Sequence, residues 1–142
     1  MRFRGHGRED LIGAPASEST TQEPRWRGFF RMSENPWMID HQVQKTVIYP
    51  AAGLVTMAIE AARQSVDSSL SVIGFEILDL VIHKPIVIPS TEHGLEHAIN
   101  AKMMKTMTAG NQVSSTEYAF TIYTKALDGP WQKNAAGFYK IL

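Results

Sequence analysis

The chain has 142 residues, enough for one domain with a hydrophobic core and too few for two of ordinary size. Its 44% apolar and 20% charged residues are those of a globular protein, and 14 basic side chains balance 14 acidic ones, so no net field favours nucleic acid or an anionic membrane. The absence of cysteine excludes a disulfide framework, a thiolate metal site and a cysteine nucleophile together, and fits a cytoplasmic location.

Residues 1–24 are polar and rich in Gly, Ser, Thr, Glu and Pro, which predicts a lead-in or linker without a signal-peptide run; only Asp10-Leu11-Ile12-Gly13 looks suited to dock. Residues 25–142 are expected to form the domain. Arg25 to Met32 alternates and reads as a strand, and Ser33-Glu34-Asn35-Pro36 is turn chemistry, since Pro36 bars Asn35 from helical angles. Trp37 to Tyr49 reads as a loop feeding the β-branched run Thr46-Val47-Ile48. Pro50 suits the first turn of a helix that runs on through Leu54 to Gln64. That helix is apolar nearly all round, so it is expected to be covered by other structure on every side. Pro50, Gly53, Thr56 and Glu60 interrupt the stretch Val47 to Ala62 and argue against a membrane span.

The remainder reads as strand. Gly74 to Pro89 is a long aliphatic run punctuated by Pro85. Leu95 to Met107 and Thr116 to Lys125 alternate apolar and polar residues, and Trp131 to Leu142 is a last strand. Thr108 to Ser115 and Asp128-Gly129-Pro130 are expected to be turns. One apolar helix followed by long antiparallel strands predicts an α+β domain in which a sheet wraps the helix, the hotdog fold.

Of the five histidines, His6 in the lead-in and His93 in a turn read as solvent-exposed. His83 and His97 lie in strand-like runs and read as satisfied core or face histidines. His41 lies in a loop leading into the buried helix, where catalytic groups concentrate, although beside Asp40 it reads first as a surface histidine near its own carboxylate. Neither a metal-ligand cluster nor a Gly-rich phosphate cradle is discernible, so no cofactor is expected.

The string Trp37-Met38-Ile39-Asp40-His41-Gln42-Val43-Gln44-Lys45-Thr46-Val47-Ile48-Tyr49-Pro50-Ala51-Ala52-Gly53 resembles the active-site segment of polyketide synthase dehydratases. That family's motif is histidine, three residues, glycine, four residues, proline, and His41 and Pro50 hold its spacing. Arg25-Trp26-Arg27, Ser33-Glu34-Asn35-Pro36-Trp37, Ala58 to Gln64 and Gly74-Phe75-Glu76-Ile77 extend the resemblance, which is to the fungal highly reducing type. It implies the first half of a double hotdog that removes water from a β-hydroxyacyl thioester carried on an acyl carrier protein, with no cofactor. His41 would take the α-proton, and an aspartic acid of the second hotdog would protonate the departing hydroxyl. Substrate would lie against Val47, Tyr49, Pro50, Ala51 and Gly53, with the helix N-terminus facing the thioester oxygen.

This sequence departs from that pattern twice. Lys45 stands where the motif has glycine, a residue that permits a positive φ or close backbone approach. The acid pattern, aspartate followed four residues later by glutamine or histidine at a helix start, is met in spacing by Asp40/Gln44 and Asp79/His83, but neither pair precedes a helix. The acid is therefore expected from a second half, or across a homodimer. The alternatives are an inactive structural hotdog and a free-standing dimeric hydratase or thioesterase.

Overall fold

A computed structural model of the chain describes residues 12–40, 42–66 and 72–142. Two short strands come from the polar lead-in and the first alternating run: β1 (Ala14–Pro15) and β2 (Arg25–Phe30). A 3-10 turn (Pro36–Asp40) and the small hairpin β3 (Gln42–Val43) and β4 (Thr46–Val47) lead to the helix α1 (Ala51–Gln64). Then follow β5 (Phe75–Ile82), β6 (Leu95–Ala109), β7 (Gln112–Lys125) and β8 (Gln132–Ile141). Six strands form one antiparallel sheet in the order β1-β2-β6-β7-β8-β5. The helix packs against β5 and β8.

Alternation accounts for the sheet. Trp26 and Phe30 on β2, Leu95, Ile99 and Ala101 on β6, and Tyr118, Phe120 and Ile122 on β7 are buried in one core with Leu54, Met57, Ala58 and Ala61 of α1. The lead-in contributes more than a linker: Ile12 is fully buried, and β1 extends the sheet beside β2. Asp10 and Leu11 of the expected docking patch lie outside the described residues.

Several expectations are revised. The turn placed at Thr108 to Ser115 is mostly strand, because β6 and β7 run on as a hairpin arm to Ala109 and Gln112. Much of that arm is exposed on both faces, so it carries no alternating signal. The run Gly74 to Pro89 is not one strand: β5 ends at Ile82, and a separate segment makes a bridge at Val87 to Ile48. Pro85, which has no N–H for a ladder, lies between them. Trp37 to Tyr49 is not simply a loop but holds the 3-10 turn and the β3–β4 hairpin. Finally, α1 is covered on one side only, with Ala51, Ala52 and Ile59 exposed.

Candidate active site

The segment leading into α1 is built from backbone turns and rings. In the 3-10 turn Met38 is fully buried, while Asp40 is exposed. His41, the candidate base, lies outside the described residues, as does His6. The next residues form β3 and β4, whose two-residue connection, Gln44-Lys45, has φ of +51° and +68°. A two-residue hairpin with both central residues left-handed is the connection that matches strand twist, and it favours glycine and asparagine. Glycine would suit position 45 on conformational grounds, and Lys45 adopts this left-handed backbone at a cost. Its side chain is exposed rather than packed into the interior.

From β4 the chain lies against residues 86–88. Ile88 N–H donates to the Val47 carbonyl at 2.9 Å, and Tyr49 N–H donates to the Ile86 carbonyl at 2.8 Å. Val47, Tyr49, Ile86 and Ile88 are all buried. The Tyr49 ring sits 4.5 Å from that of Phe30 and 5.9 Å from that of Trp37. Gly53 makes room for it: a Cβ there would stand 2.6 Å from Tyr49 ring carbons. Burial raises the Tyr49 phenol well above its ordinary value, so it stays protonated at neutral pH.

Pro50 occupies the position before the first helical residue, one earlier than expected, and no side chain caps the helix. Its carbonyl accepts the N–H groups of Gly53 and Leu54. The N–H groups of Ala51 and Ala52, both exposed residues, have no intrahelical acceptor and stand at the positive end of the helix dipole. Of the residues expected to meet substrate, then, Pro50 and Ala51 lie at this open end, whereas Val47, Tyr49 and Gly53 belong to the interior behind it.

Other candidates lie elsewhere. Asp79 is exposed in the irregular part of edge strand β5 and His83 is exposed just beyond it, so neither starts a helix. His93 is half-buried with its ring edge-on to Phe29 at 5.6 Å. His97 is fully buried, as its place among Leu95, Ile99 and Ala101 suggests, yet it is not satisfied: neither ring nitrogen has a hydrogen-bond partner. Its ring lies 4.5 Å from Phe30 and over Gly28, where a Cβ would come within 2.9 Å of it. Burial pushes its pKa down to about 4, so it is neutral at pH 7. Among the described residues no group of three His, Cys, Asp or Glu side chains is placed to hold a metal ion, and no helix is long and apolar enough to cross a membrane.

The sequence reading missed Glu60, which is 1% exposed on α1. It accepts hydrogen bonds from Arg63 and Gln64, and Gln64 in turn accepts the Trp26 indole N–H at 2.8 Å. A cavity of about 210 Å³ opens near the far end of the helix, lined by Ser65, Val66, Met103, Ser115, Tyr118 and Ile141. That is about 20 Å from the helix start, at 1.5 Å per residue.

One helix against a single antiparallel sheet is the arrangement of a hotdog domain. The sequence agrees: residues 9–125 match the family model described as polyketide synthase dehydratase domain, and the chain belongs to that family. It is 34% identical over 141 residues to a highly reducing polyketide synthase of Penicillium expansum, covering 99% of this chain and 6% of that protein. It is 38% identical over 136 residues to one of Aspergillus calidoustus, covering 96% of this chain and 5% of that protein. Among solved structures it is similar to the dehydratase domain of the CurF module of curacin polyketide synthase, with a TM-score of 0.72 and 20% identity. That match covers 94% of this chain and 44% of the other. The dehydratase domain from the terminal module of the rifamycin polyketide synthase gives a TM-score of 0.68 at 22% identity, over 93% of this chain and 43% of that one. The chain therefore spans less than half of these solved dehydratase domains and a small part of the whole synthases.

Proposed function

We propose that the chain is the half of a polyketide synthase dehydratase that carries the base, and that His41 is that base. Imidazole titrates near neutral pH and so can accept a proton from the carbon next to a thioester. In the step, His41 takes the α-proton of a β-hydroxyacyl group held as a thioester on an acyl carrier protein. The electron pair forms the α,β double bond while the β-carbon–oxygen bond breaks. A carboxylic acid of the second hotdog, or of a second copy, gives its proton to the departing hydroxyl, and water leaves. The free N–H groups at Ala51 and Ala52 suit the thioester oxygen as negative charge develops on it.

The observation that carries this reading is the left-handed Gln44-Lys45 turn. It gives position 45 a backbone that glycine adopts freely, which supports reading the segment as the family's motif despite Lys45. The exposure of Lys45 weighs against the alternative of a crowded, inactive site. The uncovered helix face of Ala52 and Ile59, and the exposed Val81 and Ile82 of edge strand β5, favour association with a second hotdog. The experiment is dehydration of a short β-hydroxyacyl thioester, followed by enoyl absorbance, with the chain alone and with a complementary second half. Turnover that disappears in His41→Ala supports the reading; turnover unchanged in that variant removes His41 from the mechanism.

A further inference from the structure

Thr124 and Asn134 are buried polar side chains, 4% and 2% exposed, and the chemistry above uses neither. Thr124 stands opposite His97 in the β6–β7 pair, and Asn134 sits where the β7–β8 register slips. The Thr124 hydroxyl donates to Asn134 Oδ1 at 2.6 Å. That bond fixes the sense of the amide: with Oδ1 engaged by the hydroxyl, Nδ2 is turned to the carbonyls of Lys84 and Pro85, at 3.3 and 3.5 Å. The main-chain carbonyl of Asn134 accepts the N–H groups of His83 and Lys84 at 2.8 and 3.2 Å. One buried residue thus holds three consecutive residues of a segment that lies outside the sheet.

The same segment carries the helix entry. Immediately after Pro85, Ile86 and Ile88 make the two backbone hydrogen bonds to Tyr49 and Val47, around the Ile48–Val87 bridge. The contacts run without a break from Thr124 to Asn134, to residues 83–85, to 86–88 and to 47–49. We propose that Asn134, oriented by Thr124, is a positioning residue: it fixes residues 83–88, and through them the strand and helix start that follow His41. Its consequence for turnover rests on the reading of His41 as base; its effect on the segment does not.

Amide hydrogen exchange at Tyr49 and Ile88, compared with amides in the middle of β6, separates the two. In Asn134→Leu and Thr124→Val, exchange at Tyr49 and Ile88 should rise about tenfold, the scale of one net hydrogen bond, with the β6 amides unchanged. Thr124→Ser keeps the hydroxyl and should restore protection. In the dehydration assay the first two variants should lower kcat about tenfold with KM within about twofold, and Thr124→Ser should recover it. Should Asn134→Leu fail to fold, the Thr124 pair decides the matter. Unchanged exchange in Thr124→Val, or raised exchange with unchanged kcat, would overturn the positioning role. A parent with no turnover even when the complementary second half is supplied would overturn the reading of His41 instead, and the exchange ratios would still show whether Asn134 holds the segment.

Discussion

The two ends of helix α1 are held by different means. At the C-terminal end, polar side chains lock together: Glu60 binds Arg63 and Gln64, Gln64 binds Trp26 of β2, and the Tyr139 hydroxyl of β8 meets Ser65 at 2.8 Å. At the N-terminal end no side chain caps the helix, and what holds it is backbone pairing with residues 86–88 and the Tyr49 ring lying against Gly53. The C-terminal end ties its polar groups to one another. At the open end the N–H groups of Ala51 and Ala52 have no intrahelical acceptor, and the proposed chemistry would use that end.

Substitutions break this contrast in graded fashion. Glu60→Ala takes the acceptor from a buried network and leaves a cavity, and should cost about 3 kcal/mol by urea denaturation, with Glu60→Gln costing less. Close behind is His97, whose pKa is about 4 folded against an ordinary 6.5. The unfolded chain then binds the proton more tightly, so stability is full above pH 6.5 and falls as pH drops toward 4. The loss is about 3 kcal/mol across that window. Comparing urea midpoints of parent and His97→Leu from pH 7 to pH 4 isolates this term: the leucine variant should lack it, and parallel pH curves would remove His97 from the acid response.

At the open end the expected effects are smaller. Gly53→Ala improves helix propensity but drives a methyl into the Tyr49 ring, and should destabilise by about 1–3 kcal/mol in thermal or urea melts. A stabilised Gly53→Ala protein would mean that the ring is not wedged there. The smallest effect is a gain. Lys45→Gly relieves left-handed strain of about 1–2 kcal/mol against the extra chain entropy of glycine, for a net of about 0.5–1 kcal/mol in the same melts.

The sequence carried the closed architecture better than the open site. Alternation in Leu95 to Met107 and Thr116 to Lys125 foretells the central strands because one face of each is buried. It stops at Met107, short of the arm's tip, where β6 residues are exposed on both faces and no period of two is written. The helix was legible as apolar, but composition cannot say that one face stays uncovered within this chain. Lysine does not advertise a left-handed backbone, so the shape of the turn at position 45 could be read only through the family's glycine. The Thr124–Asn134 pair was invisible for a different reason: a register slip and contacts forty-nine and fifty residues apart in sequence bring Asn134 to Pro85 and Lys84.

The central claim is the proposal that His41 is the base of the dehydration step. The most direct test is enoyl formation from a β-hydroxyacyl thioester by the chain with a complementary second half, in the parent, in His41→Ala and in His83→Asn, a change at an exposed histidine. The account predicts turnover in the parent and in His83→Asn and its loss in His41→Ala. Turnover in His41→Ala equal to that of the parent would contradict it.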